Sequence, residues 1–151
     1  MRTQKMKAAK IKAGNYCAYQ ERTQQEVRDK LYSLGLHKDE VEEVLTQLIT
    51  ENFVNEERFA KAFASGKFRL KRWGRQKIVF ELKRRKISPY CIKKAMLEIP
   101  EDEYENVLQQ LITQKTGGYT GNAYTIKNKV ARYLINKGYE GELVWNALAD
   151  R

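Results

Sequence analysis

Apolar residues recur along this chain at i and i+4, pause across a polar break, and recur at i and i+4 again. Val27, Leu31, Leu36, Val41 and Leu45 form one such set, Ile78, Leu82, Ile87, Ile92 and Met96 a second, and Val130, Leu134, Tyr139, Val144 and Leu148 a third. The first two sets are offset by 51 residues at every position and the last two by 52. A four-residue spacing brings successive side chains to one face of an α-helix, so each set predicts two short amphipathic helices joined by a tight turn. The turn holds Gly35 in the first copy and Gly138 in the third. A helix C-cap there requires positive φ, which glycine adopts freely; the middle copy has Lys86 instead, at a conformational cost.

Start signals divide the chain in the same way. Thr23-Gln24-Gln25-Glu26 is a capping box opening a helix to about Leu34, and Ser88-Pro89 opens one to about Glu98. Asn55-Glu56-Glu57 caps a helix to about Arg72, with Phe59, Ala60, Phe63 and Ala64 on its inner face. Pro100 followed by Glu101-Asp102-Glu103 opens another, carrying Tyr104, Val107, Leu108, Leu111 and Ile112, and Gly117 to Asn122 reads as a loop. Strand-type alternation is scarce. The expected fold is all-α: nine helices in three tandem three-helix repeats at about 5–51, 55–99 and 101–150, packed as an elongated, curved array within a single unit, 1–151.

Charge changes this picture from a scaffold to a scaffold with a face. Of the 151 residues, 29 are basic and 19 acidic, for a net charge of +10. Residues 61–94 hold thirteen of the basic side chains and one acid, Glu81, so the middle repeat carries more than the whole net charge. Like charges at that density repel unless a partner compensates them, which points to a polyanion or to an assembly containing one.

Candidate chemistry is sparse. His37 is the only histidine and lies in a polar turn, with no serine or cysteine motif to serve. Cys17 and Cys91 lack metal or redox spacing, and Cys17 reads as a small packed residue. The carboxylates at 39–43 and 101–105 lie in first helical turns, where they favour the helix dipole. No nucleotide-phosphate loop is present. Neither an apolar signal segment nor a run of about 20 apolar residues occurs, so a cytoplasmic, soluble monomer without cofactor, metal or catalytic residues is expected.

The candidate interface is the basic stretch itself: Lys67, Arg69, Lys71, Arg72, Trp73, Arg75 and Lys77, then Phe80, Lys83, Arg84, Arg85 and Lys86. Five of these are arginines, suited to bidentate phosphate or carboxylate contacts. Aromatic residues Phe68, Trp73 and Phe80 are interleaved among them. Trp73 reads either as an anchor at the helix junction or as a contact residue. Phe80 corresponds to Asp29 and Arg132 in the other repeats, an outward position that suits base stacking, a protein contact or packing against the next repeat.

These residues resemble a known family. Asn52 to Ala60, then Trp73-Gly74-Arg75-Gln76-Lys77-Ile78 through Glu81-Leu82 and Arg85-Lys86-Ile87-Ser88, is similar to the signature of RecX proteins, modulators of the RecA recombinase. Arg22 to Val27 upstream, and Lys129 to Leu134 with Lys137-Gly138-Tyr139 downstream, resemble the flanking segments of that family. Asn52 and Lys86 stand where it usually has glycine. The resemblance implies a bacterial helical-repeat protein that binds RecA filaments on single-stranded DNA and inhibits recombinase activity, restraining recombination, DNA repair and the SOS response without catalysing a reaction. A curved array would lie in the filament groove with its basic middle repeat toward DNA. Charge alone would equally suit a general basic helical nucleic-acid-binding protein with no recombinase partner, or a scaffold that contacts only proteins.

Overall fold

The structure, a computed structural model, describes residues 2–151. Among these residues all regular structure is helical: α1 (Arg2–Tyr19), α2 (Gln24–Ser33), α3 (Lys38–Thr50), α4 (Glu56–Lys71), α5 (Arg75–Arg84), α6 (Pro89–Met96), α7 (Glu101–Gly118), α8 (Ala123–Asn136) and α9 (Gly141–Ala149). The fold is all-α with tandem repeats, each a leading helix followed by a helix pair, α2–α3, α5–α6 and α8–α9. α6 stops two residues short of Glu98, and α7 continues through Gly117 and Gly118, so the loop before α8 begins at Tyr119.

The repeat stripe is the core. Of the fifteen residues in the three offset sets, all but Met96 are buried, most of them completely. The caps form as the side chains dictate. Thr23 Oγ1 accepts from the Glu26 N–H at 3.0 Å while Glu26 Oε1 accepts from the Thr23 N–H at 2.9 Å. Ser88 Oγ accepts from Cys91 N–H and Asn55 Oδ1 from Arg58 N–H. The turns take the conformation the repeat demands whatever residue stands there: φ is 91° at Gly35, 108° at Gly138 and 60° at Lys86. Asn52 and Arg72 also lie in the left-handed region, at 65° and 57°.

The chain divides into two compact units, one ending at Phe59 and the other running from Ala60 to Arg151, and α4 spans the division. In the first unit, Ala9, Ala13 and Cys17 let α1 approach Val27 and Leu31 of α2 and Val41, Leu45 and Leu48 of α3 closely. Burial raises the Cys17 thiol above its ordinary value, which keeps it protonated and unreactive at neutral pH. Glu40 is buried at the start of α3; the His37 N–H donates to its Oε1 at 2.8 Å and holds the carboxyl below its usual range.

The second unit contains the middle and third repeats and is organised around aromatic rings. Phe68, interleaved among basic residues in the sequence, is 1% exposed and packs against Tyr104, which stacks on Tyr139 at 5.1 Å between centroids. The α4–α5 and α8–α9 turns meet backbone to backbone: Gly74 N–H donates to the Lys137 carbonyl and Gln76 N–H to the Gly138 carbonyl, both at 2.9 Å. A Cβ on Gly74 would lie 2.2 Å from the Gly138 carbonyl carbon, so this crossing requires glycine.

Candidate nucleic-acid interface

The basic stretch occupies the C-terminal half of α4, the α4–α5 turn, all of α5 and the turn that follows. Arg69 and Lys71 fall in the last turn of α4, and Lys83 and Arg84 in the last turn of α5, where positive charge meets the negative end of the helix dipole. That local preference accounts for basic residues there, but not for those in the turn and the first turn of α5.

The tertiary structure sorts the twelve candidates by what each already touches. Four of the five arginines are engaged internally. Arg69 Nη2 pairs with Glu103 at 3.0 Å. Arg84 Nε and Arg85 Nη1 share Glu81 Oε2 at 3.1 and 3.0 Å. Arg75 is the most committed. Its Nη1 reaches Glu101 at 2.6 Å, its Nη2 and Nε reach Glu140 at 2.8 and 2.9 Å, and its guanidinium carbon lies 3.9 Å from the Tyr104 ring centroid. The Tyr104 hydroxyl donates to Glu140 and accepts from the Arg75 N–H, closing the network. Burial opposes the charge on Arg75, but the Glu101 hydrogen bond and the Glu140 charge outweigh it and raise the pKa. Arg75 therefore joins α5 to α7 and α9 and presents little to an external anion.

Among the described residues, no carboxylate pairs with the other cations: Lys67, Lys71, Arg72, Lys77, Lys83 and Lys86. Two of them are held by aromatic faces instead. The Lys77 ammonium lies 4.4 Å and that of Lys67 5.0 Å from the Trp73 ring centroid, and Lys67 is also 5.5 Å from Phe63. Trp73 meets Phe63 edge-on at 6.2 Å, with the Arg85 guanidinium over Phe63. Trp73 is thus both anchor and surface residue, half-buried against Phe63 and flanked by two ammonium groups. Phe80 is 63% exposed, so it does not pack against a neighbouring repeat.

Three features lie outside the sequence-derived set. Phe63, placed on the inner face of α4 by its spacing, is only partly buried and supports the aromatic cluster. Leu70 is 84% exposed on the last turn of α4 beside the cations. Lys115, Tyr133 and Lys137 of the third repeat form, with Arg72, a basin described below. The i, i+4 spacing of Tyr133 and Lys137 was visible in the sequence, but their approach to Arg72 was not. Among the described residues, no helix is long and apolar enough to cross a membrane, and no cluster of histidine, cysteine, aspartate and glutamate is arranged to hold a metal ion.

Comparison with known proteins gives one consistent result. Models of the first, second and third three-helix domains of RecX match residues 9–48, 55–96 and 101–148. A protein of Clostridium beijerinckii named regulatory protein RecX is 30% identical over 125 residues, 81% of this chain and 58% of that protein. One of the same name from Bacillus cereus strain B4264 is 27% identical over 149 residues, 97% of this chain and 55% of that protein. The chain thus spans little more than half the length of these relatives. The crystal structure of RecX from Lactobacillus salivarius superposes with a TM-score of 0.88 at 22% identity, covering 98% of this chain and 97% of that one. A second crystal structure, of a regulatory protein RecX, gives 0.87 at 18% identity over 99% and 74% of the two chains. At those identities the structures speak for the fold.

Proposed function

This chain belongs to the RecX family, and we propose that it regulates RecA by binding the recombinase filament on single-stranded DNA, with the α4–α5 face toward the nucleic acid. Inhibition on this reading needs no chemistry: a helical array bound along the filament groove obstructs the subunit movements that ATP hydrolysis and strand exchange require.

The observation that carries the reading is the placement of Lys67 and Lys77 on Trp73, beside exposed Lys71, Arg72, Lys83 and Lys86, with no carboxylate paired to any of the six. An aromatic ring between ammonium groups suits a strand whose bases stack while its phosphates meet cations. Exposed Phe80 adds a second apolar contact for base or protein. The structural commitments of Arg69, Arg75, Arg84 and Arg85 move the proposed contact from the arginines to the lysines and Arg72.

The test follows RecA ATP hydrolysis on single-stranded DNA with added protein, beside a DNA-only titration across salt. Inhibition at protein concentrations well below that of DNA nucleotides supports the filament reading. A DNA-only affinity whose logarithm falls with log salt by about 0.7 per phosphate contact identifies the phosphate component. Replacing Lys71, Lys77, Lys83 and Lys86 together by glutamate should remove the inhibition while preserving the helical spectrum. DNA binding without any effect on RecA would favour a general nucleic-acid binder and overturn the proposal.

A further inference from the structure

We infer that the basin between α7 and α8, closed on one side by Arg72, is a binding subsite for a phosphate group. For the source of that phosphate the inference rests on the nucleic-acid reading above; for its chemistry it rests on the basin alone.

The basin has a volume of about 550 Å³ and brings Arg72 from the α4–α5 turn together with Gln110, Gln114 and Lys115 of α7, Tyr133 of α8 and Lys137 just beyond it. Three cations line it and no carboxylate does. Among the described residues, none of the three is paired with an acid elsewhere. Lys115 and Lys137 instead both lean on one ring: their ammonium groups lie 4.2 and 5.5 Å from the Tyr133 centroid. Positive charges gathered on a shared concave surface repel one another, and an anion between them turns that repulsion into attraction. The remaining polar lining, two carboxamides and a phenol, supplies uncharged donors that complete a phosphate's hydrogen bonds without adding charge.

Backbone geometry supports the same assignment. Arg72 holds φ at 57°, a conformation unfavourable for a residue with a side chain, and the Tyr139 hydroxyl fixes it by donating to the Arg72 carbonyl at 3.0 Å. The Lys137 carbonyl accepts from the Gly74 N–H at 2.9 Å, so the two turns that carry Arg72 and Lys137 are joined by main-chain bonds. Fixed backbones thus present both cations, which lowers the ordering cost of binding. Arg72 is also the chain neighbour of Trp73. The subsite therefore adjoins the aromatic cluster and extends the anion-binding surface from the middle repeat into the third.

Two sources could supply the phosphate: the backbone of a single strand or the terminal groups of a free polyphosphate compound. The experiment records amide ¹H–¹⁵N shifts of the full chain during titration with sodium tripolyphosphate and, separately, with a short oligothymidylate. It compares the parent chain with the double variant Lys115→Gln, Lys137→Gln, which keeps the backbone bonds of both turns. Tripolyphosphate should shift the amides of Arg72, Tyr133 and Lys137 in the parent and lose at least tenfold in affinity in the double variant. If a strand is the source, oligothymidylate moves the same amides and the salt slope of its affinity falls by about 1.4 in the variant, two contacts at ~0.7 each. Tripolyphosphate binding with an unchanged oligothymidylate slope assigns the subsite to a free polyphosphate compound. If neither probe moves these amides, or if the double variant binds both like the parent, the inference is wrong. A parent chain that binds tripolyphosphate in the basin yet leaves RecA activity unaltered overturns the proposed function and leaves the subsite standing.

Discussion

Replacing Arg75 with methionine separates a structural tie from a nucleic-acid contact. The Arg75 side chain is 20% exposed, and the Glu140 side chain that receives its Nε and Nη2 is 28% exposed. A charge-assisted bond in that setting contributes about 1.5–3 kcal/mol. The bridge to Glu101 reaches a side chain that is 83% exposed and contributes at most about 1 kcal/mol. Stacking over Tyr104 at 3.9 Å contributes a further ~0.5–1 kcal/mol. Methionine keeps an apolar contact over the ring but leaves the Glu140 carboxylate with the Tyr104 hydroxyl alone. The expected loss is about 2–4 kcal/mol, confined to the second unit. Both tryptophans, Trp73 and Trp145, lie in that unit, so tryptophan fluorescence in urea reads it selectively. The midpoint should fall with the slope unchanged. The salt dependence of single-strand binding should stay at the parent value, whereas Lys77→Met should lower it by about 0.7. A variant at Arg75 with the parent midpoint and a salt slope reduced by about 0.7 would refute the assignment of this residue to the fold.

Two further outcomes follow from the backbone and from the buried phenols. Lys86→Gly removes a left-handed lysine that costs about 1–2 kcal/mol and adds unfolded-chain freedom worth about 0.4–1 kcal/mol, so a net gain of ~0.5–1 kcal/mol is expected; a lowered urea midpoint would contradict it. Burial raises the Tyr104 and Tyr139 phenols well above their ordinary value of 10.0, assisted at Tyr104 by donation to Glu140. The folded chain keeps both protonated where the unfolded chain ionises, so their contribution is complete below about pH 10 and is lost as pH rises past it. The urea midpoint read by tryptophan fluorescence should therefore fall between about pH 8 and pH 11, and Tyr104→Phe should flatten that fall; a Tyr104→Phe profile as steep as the parent's would count against the phenol as its source.

The sequence alone determined the helices, their tandem repetition and the family resemblance, because each depends on local spacing. An i, i+4 stripe must face inward for its apolar groups to leave water, and nearly every residue of the three sets does so. The same register placed Phe80 outward, and it marked Lys86 as a turn residue in an unfavourable conformation, which φ of 60° shows it to be. What local spacing could not decide was the partner of each charge. Arg75 and Lys77 are two residues apart on one helix with similar side chains, yet Arg75 meets Glu140, 65 residues on, while Lys77 rests on Trp73. Phe68 and Trp73 likewise read as equivalent aromatics in a basic run, and only packing buries the first against Tyr104 and leaves the second at the surface. The approach of Lys115 and Lys137 to Arg72 depends on two turns touching at Gly74 and Gly138, where the absence of side chains lets backbones meet. Helix periodicity is a property of neighbours along the chain, whereas a charge is satisfied or left free by neighbours in space, and these are set only when the second and third repeats pack together.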